Sequence, residues 1–226
     1  MSKICYTIHQ WFNAMKKHSY QQIYNAMKKH SLSQWFNEQK IPKNGIYILF
    51  EKREKAHSTD RIVRIGTHTG KNKLRSRLKE HLTENKDRSI FRKNIGRALL
   101  NKDNAPFKEQ WNKNNLAKKD RKALDFNPDE FVKQEEIEKR VTKYIRENIS
   151  FITFQIDDKD KRLEFESKII STVSLCDERK PSPNWLGLFS PKEKIRKIGL
   201  WLVNELYKTP LSDTDMLELK QLLKIK

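Results

Sequence analysis

The chain has 226 residues, with 48 Lys and Arg against 29 Asp and Glu, a formal net charge of +19. That length supports one sizeable core with attached elements and excludes several independent domains. The charge points to a polyanionic partner, a solvated basic surface being the plain alternative; without a span-length apolar run or a signal-type start, no membrane role and a soluble, cytoplasmic location are expected.

The first forty residues repeat themselves. Asn13-Ala-Met-Lys-Lys-His-Ser19 recurs as Asn25-Ala-Met-Lys-Lys-His-Ser31, and Gln10-Trp-Phe-Asn13 as Gln34-Trp-Phe-Asn37. Two short copies cannot build a solenoid, so helices are expected, anchored by Trp11, Phe12, Trp35 and Phe36 on the main domain or on a second subunit. His18 and His30 read as exposed helix residues. Cys5 and Cys176 lie far apart without CxxC spacing or a nearby histidine cluster, which indicates neither a zinc site nor a disulfide framework.

Pro42-Lys-Asn-Gly45 is turn chemistry. Gly45–Phe50 and Arg61–Gly66, rich in β-branched and aromatic residues, read as strands. A helix follows in which Leu74, Leu78 and Leu82 form an apolar stripe, and Arg77 and His81, four residues apart, share a face beside it. Residues 87–100 read as an amphipathic helix that buries Ile90, Phe91, Ile95, Ala98 and Leu99 and exposes Arg88, Arg92, Lys93 and Arg97. Residues 101–128 are polar, and Pro128 opens a charged helix toward Asn148. A third strand spans Ser150–Asp157. The helix beginning near Lys161 puts Leu163, Glu166, Ile170 and Val173 on one stripe, so Glu166 either has a chemical task or pairs with a buried arginine. Pro181–Phe189 is a rigid loop. After Ser190-Pro191 a helix is expected with Ile195, Ile198, Leu202 and Leu206 as its core face, then a short capped helix from Ser212.

The order G-I-Y on a strand, R-I-G on its neighbour, R-x-x-x-H on the next helix, a core-facing Glu after a third strand, and an Asn in a proline-bounded loop resembles the GIY-YIG nuclease family. The resemblance runs from about Ile41 to Tyr207. It includes Thr67-His68, Ser89-Ile-Phe-Arg92 and the Pro-Ser-Pro-Asn-Trp-Leu-Gly loop, and it looks closest to small bacterial stand-alone or restriction-type members. It implies Tyr47 as general base or its immediate relay, Arg77 as clamp on the scissile phosphate, His81 as acceptor or orienter of the tyrosine proton, Glu166 as ligand of a Mg²⁺ or Mn²⁺ ion, and Asn184 as a brace. Arg64 stands where the family name has a tyrosine, across a gap of sixteen residues from the G-I-Y. It reads as a substitute that stabilises the transition state, a damaged site being the alternative. The general chemistry agrees: phosphodiester cleavage needs an oriented water, positive charge on the phosphate oxygens and a cation near the leaving oxygen. A free tyrosine titrates near 10 and needs a neighbouring cation or base to work near neutrality.

Lys71, Lys73, Arg75, Arg88, Ser89, Arg92 and Lys93 flank the implied site and are assigned collectively to DNA contacts. His68 is a further candidate for proton work or a loop histidine without a role. The fold class expected is α/β (α+β): a small, mostly antiparallel three-stranded sheet flanked by helices. Its parts are a helical extension (1–40), a nuclease-like domain (41–208) with an insert at about 101–148, and a helical tail (209–226). The function implied is a metal-dependent DNA endonuclease, with a homodimer as the candidate assembly and restriction or defence as the candidate role. The rival is a non-catalytic nucleic-acid-binding module or interaction subunit of the same fold.

Overall fold

The computed structural model describes residues 2–29, 31–113 and 128–225. In chain order the elements are α1 (Ser2–Ala14), β1 (His18–Ser19), α2 (Tyr20–Lys28), α3 (Leu32–Glu38), β2 (Ile46–Ala56), β3 (Thr59–Gly66), α4 (Leu74–Glu80) and α5 (Ile90–Lys102). They continue with α6 (Lys108–Asn112), α7 (Pro128–Asn148), β4 (Ile149–Phe154), α8 (Lys159–Ser174), α9 (Glu193–Ile198) and α10 (Asp213–Leu222). His30 and residues 114–127 of the expected insert lie outside the described residues.

The sheet has the order β1-β4-β2-β3 with every pair antiparallel. The three expected strands are joined by a fourth of two residues, β1, which the repeated N-terminal segment lays against β4. The β2–β3 hairpin turns at His57-Ser58, whose φ values of 51° and 60° suit the left-handed geometry that matches strand twist. Both faces of the sheet are covered, which is why Ile46–Phe50 is apolar without alternation. Tyr47, Leu49 and Phe151 face a layer of α2, α3, α4, α5 and α7 together with Trp111, Trp185 and Trp201. Ile46, Ile48, Phe50 and Ile152 face α1, α8 and α10.

The N-terminal helices therefore belong to the core. Phe12 and Phe36 are buried against opposite sheet layers of the same chain. His18 is not an exposed helix residue: it sits in β1, buried, its ring 5.8 Å from that of Trp35 and 5.6 Å from that of Phe151. The α7 helix likewise turns Ile137, Val141 and Ile145 into the core.

Two elements depart from the periodicity. In α5, Phe91, Ile95 and Ala98 are buried as expected, but Ile90 is exposed, whereas Arg92 and Lys93 point inward. Arg92 is held by Glu138 of α7, to which its Nε donates at 3.0 Å, and by Thr142. A charge enters a core only when so paired. The second departure is α9, which stops at Ile198 because Gly199 takes a left-handed φ of 70°. Leu202 and Leu206 are therefore not on a helix. The Trp201 N–H donates to the Val63 carbonyl at 2.7 Å, so the chain after Gly199 runs beside β3 and covers the sheet edge.

Candidate active site

Tyr47 enters β2 directly opposite Gly66 of β3. A Cβ on Gly66 would fall 2.2 Å from the Tyr47 hydroxyl oxygen and 2.3 Å from Cζ, so the tyrosine ring crosses the neighbouring strand only over a glycine. The hydroxyl lies 3.2 Å from His81 Nε2 and accepts from Arg64 Nε at 3.4 Å. Arg64 reaches it from β3, paired across from Leu49 and thus on the same sheet face. Its guanidinium stacks 5.5 Å from the Phe91 ring centroid and donates to the Trp201 carbonyl.

His81 caps the C-terminus of α4 and is fully buried. Burial, followed by the charges of Arg77, Arg64 and Arg92, holds its pKa well below the ordinary 6.5, so the ring is neutral. Its Nδ1 lies 2.9 Å from Ser89 Oγ, which also accepts the Arg92 N–H at 3.3 Å as the N-cap of α5. Arg92 Nη1 donates to the His81 carbonyl at 2.9 Å. The start of α5 thus braces the histidine at ring and backbone. Arg77 projects from the last turn of α4 and donates to Glu80 (2.9 Å) and to the Arg88 carbonyl (2.8 Å). Burial opposes its charge, but Tyr47 and Glu80 outweigh that and hold its pKa above the usual value.

Glu166 comes from α8, on the other layer, and reaches the end of β3, where its Oε1 accepts the Thr67 N–H at 3.0 Å. Burial raises its pKa to about 6 against the opposing pull of Arg64 and the Thr67 N–H. It shares a cavity of about 420 Å³ with Arg64, Asn94, Asn204 and Glu205. A second cleft of about 450 Å³ is lined by Thr67, His68, Lys73, Ser76, Arg77 and Glu80. At the Gly66 end of β3 side chains from both layers converge: Arg64 and Tyr47 from one, Glu166 from the other. Glu166, Asn204 and Glu205 line this cavity with hard oxygen donors, Glu205 being held by Lys208 and Ser167, and a cation would relieve the half-buried Glu166 carboxylate, a set that fits Mg²⁺ or Mn²⁺.

A family model for the GIY-YIG domain matches residues 11–224. The chain belongs to the GIY-YIG family. No curated protein and no solved structure matches it. Membership carries a nuclease-type function in general, with endonuclease activity on DNA and a general dependence on divalent metal. The matched span begins inside α1, so most of the N-terminal segment lies within the GIY-YIG match.

Of the residues that the GIY-YIG pattern singles out, Tyr47, Arg64, Arg77, His81 and Glu166 are brought together. Asn184 is not. It is exposed in the turn before Trp185, and its loop is anchored well along β2 from Tyr47: Ser182 donates to Glu54, and the Trp185 indole donates to Glu51 at 2.9 Å. The asparagines that line the cavity are Asn94 of α5 and Asn204. The sequence signal for Asn204 is Gly199, which ends α9 and sends the following residues along β3.

The expected DNA contacts also divide. Lys71, Lys73 and Arg88 are exposed around the second cleft and α4. Arg75 is engaged with the Ile41 carbonyl and Asn37. Lys93 is buried and donates to the Asn112 carbonyl at 3.0 Å. Ser89 and Arg92 are buried behind His81, so they cannot meet a phosphate without breaking the core. His68 is a loop clamp: its Nδ1 lies 2.6 Å from the Gly70 carbonyl, and its Nε2 accepts the Gly45 N–H at 3.4 Å. Far from this site, the two cysteines meet each other and His57, a neighbourhood that their separation in sequence conceals.

Proposed function

We propose that this GIY-YIG protein is a divalent-cation-dependent DNA endonuclease in which the Tyr47 hydroxyl activates the attacking water. The carrying observation is the convergence of His81 Nε2 and Arg64 Nε on that hydroxyl, at 3.2 and 3.4 Å, with Glu166 across the strand edge. A neutral imidazole beside the hydroxyl can take up or orient its proton. Arg64, in the place of the second motif tyrosine, then serves both the hydroxyl and the phosphate, while Arg77 and the exposed Lys71, Lys73 and Arg88 hold the DNA backbone. A Mg²⁺ or Mn²⁺ held by Glu166, with Asn204 and Glu205 beside it, supplies stabilisation of charge at the leaving oxygen when bound. Tyr47 is only 1% exposed, so productive binding requires the groups packed over its hydroxyl to move aside.

The test is nicking of supercoiled plasmid with Mg²⁺. Wild type should cut, and Glu166→Ala or Arg77→Ala should reduce the rate by on the order of a hundredfold while retaining the fold. Equal nicking by wild type and Glu166→Ala would sink the assignment.

The closure over Tyr47 favours a second reading, a DNA-binding module without turnover. It predicts tight, salt-sensitive binding and no product with any divalent cation. A restriction or defence role requires sequence-dependent cutting, which sequencing of product termini from a mixed DNA pool would reveal; if both strands are cut together, a homodimer supplying two sites is the simplest arrangement.

A further inference from the structure

At the turn end of the β2–β3 hairpin, opposite the end that carries Gly66, three ligand-type side chains from separate parts of the chain meet. Cys5 comes from α1, His57 from the hairpin turn, and Cys176 from the segment after α8. One donor atom of each lies within 4.8 Å of the other two. Cys176 Sγ is 3.4 Å from His57 Nε2, close to the roughly 3.5 Å edge expected between sulfur and nitrogen on a tetrahedral zinc with bonds of about 2.3 and 2.0–2.1 Å.

The surroundings orient the histidine as a ligand. His57 Nδ1 faces Glu178 Oε2 at 3.5 Å, and the other Glu178 oxygen accepts from Ser2 Oγ at 2.6 Å. A carboxylate on one ring nitrogen fixes the tautomer that turns the lone pair of the other toward a metal. His9 stands beside the cluster, its ring centroid 4.9 Å from that of His57. Its Nδ1 is engaged by the Cys5 carbonyl at 2.8 Å, and its Nε2 is fully buried without a partner. Two free, buried thiols, an oriented imidazole and a second imidazole with one unpartnered buried nitrogen are more donor capacity than packing requires.

We propose that Cys5, Cys176 and His57 bind one thiophilic divalent cation of the Zn²⁺ type, with His9 packed beside the site. The ion would tie α1 to the hairpin and to the end of α8, a structural clasp distinct in ligand chemistry from the oxygen-lined active-site cavity. Two thiolates neutralise the cation, so its burial leaves no net charge on the site.

The full chain, reduced and stripped with chelator, is titrated with Co²⁺ alone. One Co²⁺ per chain should bind with a thiolate-to-cobalt charge-transfer band that Zn²⁺ bleaches, and the melting temperature should rise. Cys176→Ser should abolish the band, and Glu178→Gln should weaken binding by about tenfold or more. His57→Gln should weaken it further, and Glu166→Gln should leave it intact. Absence of the band in the wild type, or its persistence in Cys176→Ser, would overturn the proposal. So would protein prepared without reductant that contains no free thiol and no metal, because Cys5 and Cys176 would then form a disulfide.

Discussion

Gly66 lies directly across the strand pair from Tyr47, and the tyrosine hydroxyl occupies the space in which any other residue at 66 would place its Cβ. Gly66→Ala must therefore displace the ring from His81 and Arg64. Overpacking of this kind costs about 1–3 kcal/mol, and plasmid nicking should fall by on the order of tenfold or more as the hydroxyl leaves its partners. Thermal melts should show less destabilisation by Gly66→Ala in a Tyr47→Ala background, since the clash is then gone; strict additivity of the two changes would contradict the contact.

Asn204 and Asn184 separate the site as built from the site as implied by the motif order. Asn204→Ala should slow cleavage by about tenfold or more if its amide faces the reacting phosphate or the cation. Asn184→Ala, in an exposed turn, should leave the rate within twofold and the stability within about 0.5 kcal/mol. Plasmid nicking rates for the two variants decide the matter, and the reverse ranking would restore the proline-bounded loop to the active site.

The basic residues near the cleft should fall into two groups with different signatures. Lys73→Ala and Arg88→Ala should weaken DNA binding and each lower the slope of log affinity against log salt by about one, without changing stability. Arg92→Ala should unfold the protein by about 3–5 kcal/mol, because it leaves Glu138 buried and unpaired. Denaturant melts and salt-dependent binding isotherms measure the two effects separately.

His81 gives the fold an acid limit. Its pKa is held well below 6.5 by burial and by neighbouring arginines. Below about pH 6.5 the unfolded chain therefore takes up a proton at this ring that the folded chain refuses. The unfolded state binds more protons, so stability falls as pH drops, by up to about 1.4 kcal/mol per pH unit from this group. His81→Gln should flatten that part of the stability curve, measured as denaturant midpoints between pH 7 and pH 5. An unchanged slope would mean that His81 is protonated in the native state.

Local patterns carried the strands at Gly45–Phe50 and Arg61–Gly66, the stripe of Leu74, Leu78 and Leu82, and the pairing of Arg77 with His81, because strand and helix periods place neighbouring residues on a known face. Glu166 was legible for the same reason, as an acid in an apolar row. The inward turn of Arg92 was not, since its partner Glu138 lies in another helix and burial of a charge is decided by that pairing alone. The exchange of Asn184 for Asn204 depended on Gly199, whose left-handed turn outweighed the helical spacing of Ile195, Ile198, Leu202 and Leu206.

The sequence by itself thus determined the family, the fold class and the residue types that surround Tyr47, all of which rest on short-range spacing along the chain. Only the tertiary structure decided which arginines face solvent, which asparagines reach the cavity, and that Cys5, His57 and Cys176 share one neighbourhood. Those outcomes depend on where separate elements dock, and docking is set by the summed burial of the two sheet faces rather than by any spacing in the chain.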